Sequence, residues 1–235
     1  MVRSRFVLIA TIAIFCIGLS YLSFVSDEPY MLLSVGLVIV SMAPFLIRFE
    51  FKAVQTSELV LISVLAAIAA VARVPFAALP SVQPTSFFII AAAIVFGAET
   101  GFLVGAFAAL VSNMFLGQGP WTPWQMFAWG MMGWTAGAFG DALLARRWAL
   151  LAFGAAWGFL FGAVMNVWIV AGLIPQGDWT GLLPVFAASL PFDLMHAASN
   201  VFFLALFTKS WTSALLRFRT KYGLLRRGRS ERTNE

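Results

Sequence analysis

"GAETGFLVGAFAALVSNMFLGQGPWTPWQMFAWGMMGWTAGAFGD", residues 97–141, carries a glycine at every fourth position at its start and three tryptophans, Trp121, Trp124 and Trp129, close together in its middle. Gly97, Gly101, Gly105 and then Ala109 fall on one helical face. Such small-residue rows let helix backbones approach closely enough for dispersion to hold them, which matters where lipid offers helices no hydrophobic reason to associate. The row recurs at Gly154, Gly158 and Gly162, with the amide of Asn166 next in line. The stretch reads as two closely packed membrane helices joined by an aromatic loop.

The whole chain supports that reading. Of its 235 residues 61% are hydrophobic and 11% charged, and the mean hydropathy is +0.91, which leaves too little polar surface to coat a soluble globule. The fold class is an all-α integral membrane protein. A bilayer core of roughly 30 Å takes about 20 apolar residues per helix, and spans are predicted at 6–24, 30–47, 57–74, 86–98, 101–116, 125–144, 148–173 and 183–208. With the N-terminus inside, all of the 15 Lys and Arg except Arg73 fall on the cytoplasmic side, as the positive-inside rule requires. Both termini are then cytoplasmic, and the loops 73–86, 117–124 and 174–181 face outward. A composition shift at "RFEFKAVQTSE" (48–58) separates a two-helix N-terminal hairpin, residues 1–54, from a six-helix core, residues 55–215; the basic tail, 216–235, suits an anionic lipid surface.

Several chemistries drop out. The single cysteine, Cys16, allows no disulfide within the chain, and no Cys/His cluster has metal-ligand spacing. There is no G-x-S-x-G element and no Walker A loop, so the chain does not hydrolyse ATP by that route. No cofactor and no nucleic-acid partner is expected.

The remaining polar groups at membrane depth each need an account. "LPFDLMHAASNVFF" (190–203) sets Asp193, His196 and Asn200 on one helical face. They form either a structural seam, with Asp193 bonded to His196, or the rim of a ligand site beneath the aromatic loop. Asn113, Gln118 and Gln125 around that loop, with Asn166, are candidates to complete the rim. Trp121, Trp124 and Trp129 read as its lid, with Trp134, Trp168 and Trp179 near the same face, because flat rings beside a few polar groups make an orienting pocket for a large organic ligand. Trp148 and Trp211 read as interfacial anchors. Ala66 and Ala70 form a further small pair that either packs internally or docks a partner helix. Asp141 reads as a partner of Arg146 and Arg147. Together with Asp193 it raises the alternative of an intramembrane aspartyl hydrolase, and Asp193 with His196 that of a proton-coupled carrier.

From 57 to 215 the chain resembles the membrane-embedded substrate-binding subunit, the S component, of energy-coupling factor (ECF) vitamin transporters. Residues 97–141 and "PFDLMHAASNVFF" look like the versions found in cobalamin-type and related S components. The resemblance implies a six-helix S-component bundle in a prokaryotic plasma membrane. It implies as partners a transmembrane coupling (T) subunit and two cytoplasmic ATPases, and as ligand a vitamin: a corrinoid or its benzimidazole precursor, or another flat vitamin or modified base. By the same resemblance Ala66 and Ala70 match an A-x-x-x-A contact with the coupling subunit. Trp121, Trp124 and Gln125 fall where the outer loop covers the ligand, and Asn166, Asp193, His196 and Asn200 on the helices that line its pocket. The N-terminal hairpin is an addition to the family pattern.

Overall fold

Pro84 and Pro123 each stand in the first turn of a helix, where a missing N–H costs nothing and the fixed φ is already helical. Gly97 and Gly117 each end one, with φ of 101° and 107°, a region that side chains with a Cβ rarely enter. These punctuation marks divide the apolar sequence into helices that reverse direction over short turns.

The computed structural model describes residues 36, 39–40, 42–44, 56–119, 121–173 and 179–223. Most of the predicted N-terminal hairpin, the middle of the 174–181 loop and the end of the basic tail lie outside the described residues. Within them the helices are α1 Thr56–Arg73, α2 Pro84–Phe96, α3 Ala98–Leu116, α4 Thr122–Ala138, α5 Gly140–Ala145, α6 Arg147–Leu173 and α7 Leu182–Tyr222, with 3-10 turns at Val74–Phe76 and Trp179–Gly181. Helix occupies all six apolar stretches predicted after residue 56. Among the described residues four segments, Thr56–Phe76, Ala98–Leu116, Arg147–Val167 and Leu182–Tyr222, are long and apolar enough to cross a membrane.

Three boundaries differ from the sequence reading. Helix α4 begins at Thr122, so Trp124 belongs to its first turn and not to the loop predicted at 117–124; Pro123 starts the helix early. The span predicted over 125–144 is two helices, broken at Phe139. Helix α7 runs on past the predicted membrane exit at 208 and through the boundary drawn at 215, reaching Tyr222 as one helix of 41 residues. At 1.5 Å per residue it is about 60 Å long, roughly twice a bilayer core. No residue after Lys209 breaks it, and Arg219 and Lys221 in its last turn complement the negative end of the helix dipole.

Gly101, Gly105 and Gly158 pack as predicted, whereas Gly97 ends α2 and a Cβ added there would meet nothing within 4 Å. A Cβ on Gly101 or Gly105 would run into the backbone of Gly133 or Trp129 on α4, and one on Gly158 into the backbone of Ala197 on α7. The fully buried side chains include Trp124, Trp129, Phe102, Ile89 and Met132. At the opposite end from the turns after α1, α3 and α6, Arg219 donates to the Val95 carbonyl at 2.6 Å and ties α7 to the end of α2.

Candidate functional site

The end of α1, the end of α3 and the start of α4 meet in a chain of polar contacts. Arg73 Nη1 donates to Ser112 Oγ at 3.0 Å and to Asn113 Oδ1 at 2.9 Å. Asn113 Nδ2 donates to Gln125 Oε1 at 2.7 Å and to Thr122 Oγ1 at 3.0 Å. The Thr122 hydroxyl passes on to Gln118 Oε1 at 2.8 Å, and Gln118 Nε2 closes on the Leu110 carbonyl at 2.9 Å. Asn113 and Gln125 are buried, so their mutual bond satisfies amides that would otherwise be costly at this depth.

A second chain lies deeper. The indole N–H of Trp129 donates to Ser86 Oγ at 3.2 Å, and Ser86 Oγ shares a 2.8 Å hydrogen bond with His196 Nε2. Phe161 meets the edge of the His196 ring at 4.8 Å and lies against Trp129 at 4.9 Å. The guanidinium of Arg73 sits 5.1 Å over the Trp129 ring, which joins the two chains through a cation–π contact.

Beside these groups, between α6, α7, the start of α4 and the turn before α2, lies a cavity of about 490 Å³. Phe161, Met165, Ile169, Val185 and Phe192 supply its apolar wall; Ser81, Gln125, Asn166, Ser189, Asp193 and His196 supply its polar one. Asn166 Nδ2 donates to Ser189 Oγ at 2.8 Å, and the Ser189 hydroxyl reaches Asp193 Oδ2 at 3.0 Å. Gly162 makes room for the carboxylate, because a Cβ there would collide with it. Ser81 adopts φ 56° without being glycine, a left-handed conformation that costs roughly 1–2 kcal/mol and is concentrated at functional sites.

The cavity thus brings together Gln125, Asn166, Asp193 and His196 from the predicted rim, while Asn113 and Gln118 stand behind Gln125 in the bonded chain. Asn200 is elsewhere: its Nδ2 donates to the Gly154 carbonyl at 2.9 Å, fastening α7 to α6. The postulated Asp193–His196 bond is replaced by separate partners, Ser189 and Ser86. Trp124 and Trp129 are wholly buried, and neither lines the cavity, although Trp129 packs against Phe161 of its wall. Trp121 is half-buried at the α4 start, its ring over Gly119. Trp134 is buried, Trp148 is 68% exposed, and Trp211 packs edge-on against Phe88 at 5.0 Å. The side chains of Trp168 and Trp179 lie outside the described residues.

Ala66 and Ala70 are buried inside the chain, at 2% and 0% exposure. Past its first turn, the small residues that α1 exposes are Ser63 and Ala67, beside Val60, Val64 and Val71. Asp141 is exposed in the first turn of α5. Among the described residues no group of three His, Cys, Asp or Glu is placed to hold a metal.

Sequence reading overlooked Ser86, Ser189 and Phe161 and noted Arg73 only as the exception to the charge rule. Isolated hydroxyls in apolar spans were the available signal for the two serines.

Residues 53–211, more than half of the chain, match the family model described as ECF-type riboflavin transporter, S component. The chain belongs to this family of ECF S components. No curated protein and no solved structure matches it. As an S component it is the substrate-binding subunit of a membrane transporter that works with a T subunit and ATPases, and not an enzyme, which removes the hydrolase built on Asp141 and Asp193. The family description names riboflavin, so the corrinoid expectation finds no support in it.

Proposed function

We propose that the chain captures a tricyclic, flavin-type vitamin, with riboflavin as the reference ligand, in the cavity between α6 and α7 and delivers it to an ATP-driven ECF importer. The observation that carries the reading is the two-sided lining. Phe161, Phe192 and Met165 offer faces for a flat ring, and Gln125, Asn166, Ser189 and Asp193 offer donors and acceptors along one edge. A volume of about 490 Å³ falls in the range of roughly 300–1,000 Å³ usual for small-ligand sites. A corrinoid, with its macrocycle and nucleotide arm, would enter such a space only if the helices separated.

In this reading the cavity end faces outward in a prokaryotic plasma membrane, both termini are cytoplasmic, and the residues around Trp121 and Gln118 close over the bound ring. Asn113 and Thr122 hold Gln125 toward the ligand, and Ser86 fixes His196. The coupling subunit meets the exposed face of α1 at Ser63 and Ala67, because Ala66 and Ala70 are buried. The two-helix hairpin before the six-helix core is an accessory to this cycle.

The test is to purify the full chain in mild detergent, identify co-purifying small molecules by mass spectrometry, and titrate ligand-free protein with riboflavin while following flavin fluorescence. Stoichiometric flavin and saturable quenching support the reading. A co-purifying corrinoid, or no saturable flavin binding, overturns it.

A further inference from the structure

Arg73 is a half-buried cation within an apolar bundle, and among the described residues no carboxylate pairs with it. A guanidinium has five N–H donors. The two on Nη1 are used by Ser112 and Asn113, while those on Nε and Nη2 find no acceptor among the described residues. The ring of Trp129 below it at 5.1 Å and the Nη1 bonds hold the plane of the fork in place. Charge at such depth is retained where it is paired or faces a cavity, and a second cavity of about 290 Å³ does lie against Arg73. Gln83 lines it and buries an Oε1 with no hydrogen-bond partner. Ser81, in its left-handed conformation, lines both this cavity and the larger one.

We propose that Arg73 anchors an anion subsite next to the ring site, which takes a phosphate or carboxylate carried on the tail of the ligand. The ring lies in the larger cavity, and the tail passes Ser81 and presents its oxygens to the free edge of the guanidinium. A phosphate monoester also carries a proton or neighbouring hydroxyl that the Gln83 carbonyl accepts. The inference rests on the flavin-type reading above and adds a preference among such ligands: a ring vitamin with an acidic tail binds better than its neutral parent.

Riboflavin and riboflavin 5′-phosphate differ in that one group and serve as probes in fluorescence titrations of the full chain in neutral detergent. The expected result is that the ester binds roughly ten- to a hundredfold more tightly, the scale of a charge-assisted hydrogen bond. Arg73→Gln is expected to bring the ratio close to one, and Arg73→Lys, which keeps the charge but loses the fork, to leave it in between. Inorganic phosphate is expected to compete with the ester more than with riboflavin. Equal affinities in the wild type overturn the anion subsite and leave flavin binding intact, whereas failure of both probes to bind overturns both readings. A preference that survives in folded Arg73→Gln protein overturns the role given to Arg73; if that variant does not fold, the wild-type and Arg73→Lys ratios decide. A preference erased by added phosphatidylglycerol assigns Arg73 to a lipid headgroup and also overturns the proposal.

Discussion

Gly158 and Gly162 belong to one stripe of α6, yet alanine at the two positions should do different things. A Cβ on Gly162 would overlap the carboxylate of Asp193, the far end of a side chain that can rotate away. A Cβ on Gly158 would overlap the backbone of Ala197, which moves only if α6 and α7 separate. Gly162→Ala should therefore leave the bundle intact and turn Asp193 out of the cavity, breaking its 3.0 Å bond from Ser189. A hydrogen bond to a charged group is worth about 1.5–3 kcal/mol, so losing the carboxylate as a ligand contact should weaken riboflavin binding roughly ten- to a hundredfold. Stability should change little, because alanine recovers roughly 1 kcal/mol of helix propensity over glycine. Gly158→Ala should cost about 1–3 kcal/mol by overpacking and lower the melting temperature. Flavin fluorescence titration and thermal unfolding in the same detergent read both variants. Wild-type affinity in Gly162→Ala would show that the Asp193 carboxylate does not hold the ligand. Wild-type melting in Gly158→Ala would refute the steric argument from the backbone contact.

Ser81→Gly should raise stability by about 1 kcal/mol by relieving the left-handed strain, read as a higher melting temperature. Asn113→Leu should lower stability by about 1–3 kcal/mol, since it leaves Gln125 Oε1 and one of the two Nη1 hydrogens of Arg73 without their partner; thermal unfolding checks this. Trp129→Phe, which keeps a ring under Arg73 but removes the N–H to Ser86, should cost about 1 kcal/mol, against about 3–5 kcal/mol for Trp129→Ala. Ser63→Leu with Ala67→Leu should leave melting and flavin binding as in the wild type and abolish co-purification with a co-expressed T subunit. Ala66→Leu with Ala70→Leu should instead lower the melting temperature, because both positions are interior.

Periodicity predicts which residues share a stripe and is silent on what faces it. The helices were legible because apolar length, proline and glycine act locally, and the glycine rows because close approach demands small residues whatever the neighbour. The polar stripe of α7 shows where that legibility stops. Asp193, His196 and Asn200 span seven residues, about 10 Å along the axis, and each meets a different neighbour: Ser189 and the space at Gly162, Ser86 on α2, and the Gly154 carbonyl on α6. One stripe thus supplies a cavity carboxylate, a core-facing imidazole and a structural clamp. Ala66 and Ala70 fail as a docking surface for the same reason: small size marks close packing, and the packing here is internal. Arg73 makes the opposite case. In the sequence reading it is the one cation that departs from the charge rule, and a charge kept within an apolar span needs a compensating interaction. The structure shows part of that interaction in Ser112, Asn113 and Trp129, and Arg73 also lines the smaller cavity.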